Sequence, residues 1–287
     1  MSRLSYLKGL DRNITKGVYG SLKQMSTNDQ KNIKHFAKSI NYTTSKIMTM
    51  RFEINKSSCE DSKRIVFYRC KSEDVHYKIP GKNLCILNFA NHRNPGSTFP
   101  NDSHTQEEEL LRKFPELFYS LNHSDFYPIE HAKCAVIVTD YVNCYRDVDY
   151  SILKKSASYK SMFVTAPAPE HREYFFEEYD ILQYIRNIIL APIIFSNSSY
   201  IKNHRPQILV LGGWGCGSFM ASDGYYGKYI KPNLSHRFSD CDNYIELIAS
   251  MFKYILMGEN MYKYYSKVVM AIPAKEVLDE FIKVFNK

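Results

Sequence analysis

The chain has 287 residues, long enough to bury a full core without disulfide staples, and its 44% hydrophobic and 24% charged residues exclude wholesale disorder. The 38 basic against 30 acidic side chains give a net charge of +8, a diffuse, lysine-rich excess. No basic run with interleaved aromatics concentrates it, so no direct nucleic-acid partner is expected, although part of the charge can steer a phosphate-bearing ligand. No apolar stretch reaches the roughly 18 residues of a membrane span. Ile181 to Phe195 comes nearest and is interrupted by Arg186, Asn187 and Pro192, so no membrane partner is expected.

The seven cysteines stand singly at Cys59, Cys70, Cys85, Cys134, Cys144, Cys216 and Cys241, with no C-x-x-C pair. Their odd number and scatter argue against a disulfide framework or a zinc knuckle and for a reduced, intracellular compartment, cytoplasmic or nuclear. Met1-Ser2-Arg3-Leu4-Ser5 leads into no apolar run, so a secretory signal is not expected.

In chain order, residues 1–62 read as a helical N-terminal extension, rich in Lys, Ser, Thr and Asn. Two or three helices are expected within 1–45. Ser26-Thr27-Asn28-Asp29 forms a cap before Ile33, Phe36, Ala37 and Ile40. Residues 63–287 form the second unit, where short β-branched runs alternate with amphipathic stretches. The expected strands are Ile65–Tyr68, Leu84–Phe89, Ala135–Thr139, Met162–Thr165, Ile208–Leu211 and Val268–Ile272. The expected helices are Thr105–Leu121, His171–Leu190, Asp242–Leu256 and Ala274–Phe285. Five of the strands read as buried on both faces, as inner strands of a mostly parallel or mixed sheet do. The alternation predicts an α/β fold, a three-layer α/β/α sandwich.

Two loops follow carboxyl ends of strands, where open α/β sheets bind ligands. One runs from Asn88 to Phe99 and the other from Gly212 to Phe219. The second holds four of the 12 glycines within positions 212–217. Glycine permits φ > 0 and close backbone approach, and successive N–H groups at a strand-to-helix turn make an anion nest suited to a diphosphate. The spacing is not that of a nucleoside-triphosphate P-loop. Trp214 is expected in the core or the pocket wall.

The first loop leads into Gln106-Glu107-Glu108-Glu109. Three carboxylates in a helix first turn suit the helix dipole, and that alone explains many such runs. Here they lie beside the presumed anion site, where adjacent carboxylates raise one another's pKa, and a protonated Glu can act as general acid toward a glycosidic oxygen. His92, His104, His123, His131 and His171 form no metal-ligand spacing and read as surface or loop residues. Glu173, Glu177 and Glu178 read as a solvated helix face. Cys216 has no histidine placed by sequence to activate it and reads as buried filler.

These segments resemble one known family, the bacterial-type poly(ADP-ribose) glycohydrolases, a branch of the macrodomain fold. The family signature is a Gly-Gly-Gly loop followed a few residues later by Gln-Glu-Glu. The chain reads Asn88-Phe89-Ala90, then Asn94-Pro95-Gly96-Ser97-Thr98-Phe99, then Gln106-Glu107-Glu108. Leu117-Phe118-Tyr119-Ser120-Leu121 and Val164-Thr165-Ala166-Pro167-Ala168-Pro169 are similar to further family segments, and Leu209 to Phe219 is similar to its second phosphate loop.

The resemblance implies a macrodomain-like fold and hydrolysis of the ribose–ribose O-glycosidic bond of poly(ADP-ribose), releasing ADP-ribose. It implies Glu108 as general acid and base, with Glu107 beside it on the ribose hydroxyls and Gln106 positioning the loop. Asn91 and Asn94 would bond the distal ribose. Gly96, Ser97 and Thr98, with Gly215, Cys216, Gly217 and Ser218, would embrace the diphosphate, and Phe219 would pack on the proximal ribose. The implied partner is ADP-ribose or its polymer on modified proteins, and no metal or other cofactor is implied. The chain departs from the family where Gly-Gly-Gly reads Gly96-Ser97-Thr98, and Pro100-Asn101-Asp102 replaces its usual Asn-Gly. A β-branched Thr does not readily take a glycine's φ. The alternatives are a catalytically weak or inactive ADP-ribose-binding macrodomain, or a hydrolase of mono-ADP-ribosylated protein or nucleic acid.

Overall fold

The structure, a computed structural model, describes residues 39–50, 64–97, 105–122, 125–151, 153, 158–171, 173–197 and 205–287. Its centre is a seven-stranded mixed sheet. The strands are β1 (Ser39–Tyr42), β2 (Ile65–Tyr68), β3 (Leu84–Ala90), β4 (Val136–Asn143), β5 (Lys160–Pro167), β6 (Ile208–Leu211) and β7 (Lys267–Ala271). Their order is β1-β4-β5-β3-β6-β7-β2. The pairs from β5 through β3, β6 and β7 to β2 are parallel, while β4 runs antiparallel to both β5 and β1.

Alternation along β3 builds the three layers. Leu84 and Ile86 pack with α2 (Gln106–Lys113) and α3 (Pro115–Asn122) on one face of the sheet. Cys85 and Leu87 pack with α4 (Glu178–Asn197), α5 (Tyr244–Lys253) and α6 (Lys275–Asn286) on the other. Both faces are covered, which is why the inner strands read as unbroken apolar runs. The three-layer α/β/α expectation holds.

The edge of the sheet corrects the expected helices of 1–45. Ser39–Tyr42 is a strand, registered Ser39↔Thr139 to Tyr42↔Val136 on β4. The Ser39 and Thr139 hydroxyls lie 3.0 Å apart across the pair. The free edge of β4 claims these residues, a tertiary preference that outweighs the helical spacing ending at Ile40. Helix Thr44–Met50 (α1) then buries Ile47 in the core, and Asn187 donates to the Thr44 hydroxyl at 3.0 Å. The helices expected before residue 39 and the boundary at 62/63 lie outside the described residues.

The six expected strands form, with ends shifted by up to four residues. The single helix expected over Thr105–Leu121 is two, because Pro115 disfavours helical backbone at Phe114, which sits at φ −121°, ψ 66°. Residues 173–177 are not helical, and α4 begins only at Glu178.

Candidate active site

The carboxyl ends of β5, β3, β6 and β7 point the same way, and the segments leaving them enclose a cavity of about 550 Å³. β3 supplies Phe89, Asn91, His92, Arg93 and Ser97, and β5 supplies Ala168, Glu170 and Glu173. The segment after β6 supplies the glycine-rich wall, and Ile272 to Ala274 follow β7.

The first turn of α2 is held against β3 by Gln106. Its Nε2 donates to the Leu87 carbonyl at 2.7 Å and its Oε1 accepts the Phe89 N–H at 2.8 Å, one residue and more beyond the last β3–β6 register pair, Ile86↔Val210. The side chain thus bonds backbone groups just past the point where that pairing stops. Nε2 also donates to Ser72 at 2.8 Å.

That anchoring places Glu107 and Glu108, each 1% exposed, on the cavity wall. Glu107 Oε1 accepts Asn88 Nδ2 at 3.2 Å, Oε2 accepts the Asn91 N–H at 3.0 Å, and the Gly96 N–H points at the same carboxyl. Burial dominates these donors and, with the Glu108 charge beside it, pushes the Glu107 carboxyl up to about 8. Glu108 accepts from the Thr105 hydroxyl, so the Thr105 side chain, at the N-cap position of α2, serves the acid rather than the helix backbone. Glu109 borders the cavity too, but pairs with Lys71 at 2.7 Å and Arg112 at 3.0 Å. Three adjacent carboxylates are thereby divided into one fixed by N–H donors, one on a hydroxyl and one ion-paired.

The loop after β3 folds on itself. Asn91 Oδ1 accepts the N–H groups of Arg93 at 2.8 Å and Asn94 at 3.3 Å. Gly96 takes φ 71° and Ser97 φ 49°, so Ser97 keeps the left-handed backbone a glycine would favour. Ser97 lines the cavity; Asn94 and Gly96 do not, and Gly96 acts through its N–H on Glu107. Thr98 lies outside the described residues.

On the opposite wall stand Gly213, Gly215, Cys216, Gly217, Ser218 and Phe219. Gly215 has φ 79°, and a Cβ there would sit 3.3 Å from the Tyr244 hydroxyl. Trp214 is core: it is fully buried and its Nε1 faces the Ala166 carbonyl at 3.4 Å. Cys216 is buried and burial pushes its thiol well up, which keeps it a thiol and suits filler rather than nucleophile. The six cysteines among the described residues are all free.

The rim was missed from sequence. His92 and His171 lie in loops, as expected, but are buried, and with the half-buried His131 they belong to one aromatic cluster. His92 and His131 are 4.9 Å apart between ring centres, and Tyr174 packs on both. His171 bonds the Tyr244 hydroxyl at 3.0 Å. Burial holds His131 and His171 down at about 4. His104 and His123 lie outside the described residues. Glu173 is no helix face: it pairs with Arg93 across the rim. His92, Glu170 and Glu173 bring donor atoms within 4.8 Å, the one such group among the described residues that could hold a metal ion. The Arg93 guanidinium already stands there, on Glu173 and, through Nε, on His92 Nε2 at 3.3 Å. Glu73, fully buried, also lines the cavity, with Oε1 unpartnered and its carboxyl raised by burial. The signal for all of these was their place just before or after strand ends that the sheet brings together.

Residues 8–146 match the family model "Microbial-type PARG, catalytic domain", PARG being poly(ADP-ribose) glycohydrolase. The PARG of Thermomonospora curvata is similar at a TM-score of 0.72 and 20% identity, over 96% of this chain and 100% of that one. The same protein bound to the inhibitor ADP-HPD gives 0.67 at 19% identity, over 96% and 99%. The PARG of Deinococcus radiodurans in complex with ADP-ribose gives 0.59 at 20% identity, over 86% and 93%. At such identities the likeness is one of fold. No curated protein matches the sequence.

Proposed function

We propose that this chain, whose residues 8–146 match the microbial-type poly(ADP-ribose) glycohydrolase catalytic domain, is a member of that family and hydrolyses the ribose–ribose glycosidic bond of poly(ADP-ribose) with Glu108 as general acid and base. The observation that carries the reading is the placement of two buried carboxyl groups, Glu107 and Glu108, in one cavity whose other wall is the Gly213–Phe219 loop.

ADP-ribose lies between those walls. The diphosphate rests on the backbone of Gly215 to Ser218 and on Ser97, and Phe219 packs on the proximal ribose. Glu107 is fixed by Asn88, Asn91 and Gly96 and holds its proton at neutral pH, so it bonds ribose hydroxyls without setting a negative charge beside Glu108, which enters the reaction in its acid form. Glu108, which accepts from the Thr105 hydroxyl, moves the proton. It protonates the departing 2′-oxygen as the bond from the anomeric carbon breaks, leaving an oxocarbenium-like ribose. Its carboxylate then takes a proton from the attacking water, which restores the acid and releases ADP-ribose.

Ser97 in place of glycine favours a second reading, an ADP-ribose-binding protein that cuts slowly or not at all. Ser97 lines the cavity, and it brings a side chain where a glycine would leave bare backbone to meet the diphosphate. A panel of poly(ADP-ribose), mono-ADP-ribosylated protein and mono-ADP-ribosylated nucleic acid separates the cases. Release of ADP-ribose from the polymer in preference to the others supports the first reading. Binding of ADP-ribose with no release from any supports the second. The free, mostly buried thiols support an intracellular setting, where ADP-ribose on modified proteins is the partner.

A further inference from the structure

The departing group in the proposed reaction is itself an adenosine, attached through its 2′-oxygen. Its base therefore lies one sugar's breadth from the oxygen that Glu108 protonates, outside the cavity that holds the unit being released. A polymer-cleaving site can use a surface for that base, and the rim offers one.

Among the described residues, seven large hydrophobic side chains are exposed, and three of them, Tyr174, Phe175 and Tyr179, fall within six positions after β5. Single exposed aromatics need no explanation, but several in one short segment that adjoins a cavity residue do. Tyr174 is linked to the catalytic side. Its hydroxyl lies 3.1 Å from His92 Nε2, and its ring stands edge-on to the imidazole at 5.1 Å. His92 adjoins Asn91, whose N–H holds Glu107. The Tyr174 side chain is nevertheless 38% exposed, and Phe175 is 58% exposed. Between this segment and the cavity, the exposed Arg93 guanidinium is held by Glu173 in a surface pair, a weak arrangement that an incoming phosphate can replace.

We infer that Tyr174, Phe175 and Arg93 form a subsite for the adenosine phosphate of the departing unit, the two rings stacking its adenine and the guanidinium meeting its diphosphate. This rests on the proposed function and extends it: the enzyme reads two consecutive units rather than one. Base–aromatic stacking is sequence-tolerant and needs no hydrogen-bond code, which suits a polymer with adenine at every repeat.

The test compares the affinity of Glu108→Gln for ADP-ribose and for a dimer of two ADP-ribose units, so that nothing is cut. The dimer is expected to bind about tenfold more tightly. Phe175→Ala and Tyr174→Ala should each remove most of that gain and leave ADP-ribose affinity within about twofold, while Tyr174→Phe, which keeps the ring, should retain the gain. Arg93→Gln should make the gain less dependent on salt. Equal affinity for monomer and dimer, or a Phe175→Ala variant that weakens both alike, overturns the subsite while leaving the proposed function standing. Failure to bind either ligand overturns the proposed function and the subsite with it.

Discussion

Glu107 accepts the Asn91 N–H on Oε2 at 3.0 Å, and this bond joins the first turn of α2 to the loop that leaves β3. The acid and the loop are therefore one unit. Asn88, the last buried polar residue of β3, adds its amide to the other oxygen and bonds Thr165 on the neighbouring strand at 3.4 Å. Through Asn88 the Glu107 carboxyl is thereby tied to two neighbouring strands of the sheet.

The carboxyl of Glu107 titrates near 8 against an ordinary value of 4.5, because burial penalises its charge. The folded state therefore holds a proton that the unfolded chain releases. The stability this gives is full below about pH 4.5 and is lost as pH rises through about 8. Glu107→Gln cannot titrate, so its melting temperature should fall less between pH 5 and pH 8 than that of the wild type. Parallel melting curves across that range would contradict the assignment.

His131 and His171 act with the opposite sign. Both are held neutral by burial, at about 4 against an ordinary 6.5. The unfolded chain binds protons here that the folded state refuses. Stability is therefore present above about pH 6.5 and lost as pH falls toward 4. Thermal melts of His131→Phe should show a flatter acid limb than the wild type, even though the bond to the Tyr184 hydroxyl is lost. An unchanged limb would show that His131 titrates normally.

Ser97 stands at φ 49°, where a side chain costs about 1–2 kcal/mol. Glycine returns part of that as chain entropy, about 0.5–1 kcal/mol. Ser97→Gly should thus stabilise by up to about 1 kcal/mol, roughly 2 °C in a chain of this size. ADP-ribose affinity should hold or rise. A drop in either would mean that the serine hydroxyl, not the backbone, is what the loop contributes.

Gly212 marks a close approach. A Cβ there would lie 2.8 Å from the Ala271 carbonyl and 2.9 Å from the Phe89 ring. The carbonyl belongs to β7 and cannot yield, so Gly212→Ala should cost about 1–3 kcal/mol and push Phe89 toward the cavity. Gly217 has nothing within 4 Å of its Cβ position, so Gly217→Ala should melt with the wild type. Equal stability of the two variants would contradict the packing described for the loop.

Much of the fold was legible because the inner strands are short apolar runs, and β2 and β6 fall where the runs begin and end. β1 was not, because four residues carry too little pattern and their conformation is decided by the free edge of β4. The acids and the glycine loop were legible for a different reason: each is a local motif whose meaning survives without the third dimension. The rim was not. His92 and Arg93 meet Glu170 and Glu173 because β3 and β5 pair in parallel to Ala90↔Pro167, which sets two distant loops side by side. Asn94 shows the reverse case, a residue of the motif that the folded loop leaves off the cavity wall.

The most direct measurement incubates the wild-type chain and Glu108→Gln with labelled poly(ADP-ribose) and separates the products, with thermal melts to show that both are folded. Removing a general acid should cost about 10²–10⁴-fold in rate. Free ADP-ribose from the wild type, and little or none from a folded Glu108→Gln, is the predicted result. Equal release by both would contradict the central claim that Glu108 carries the proton.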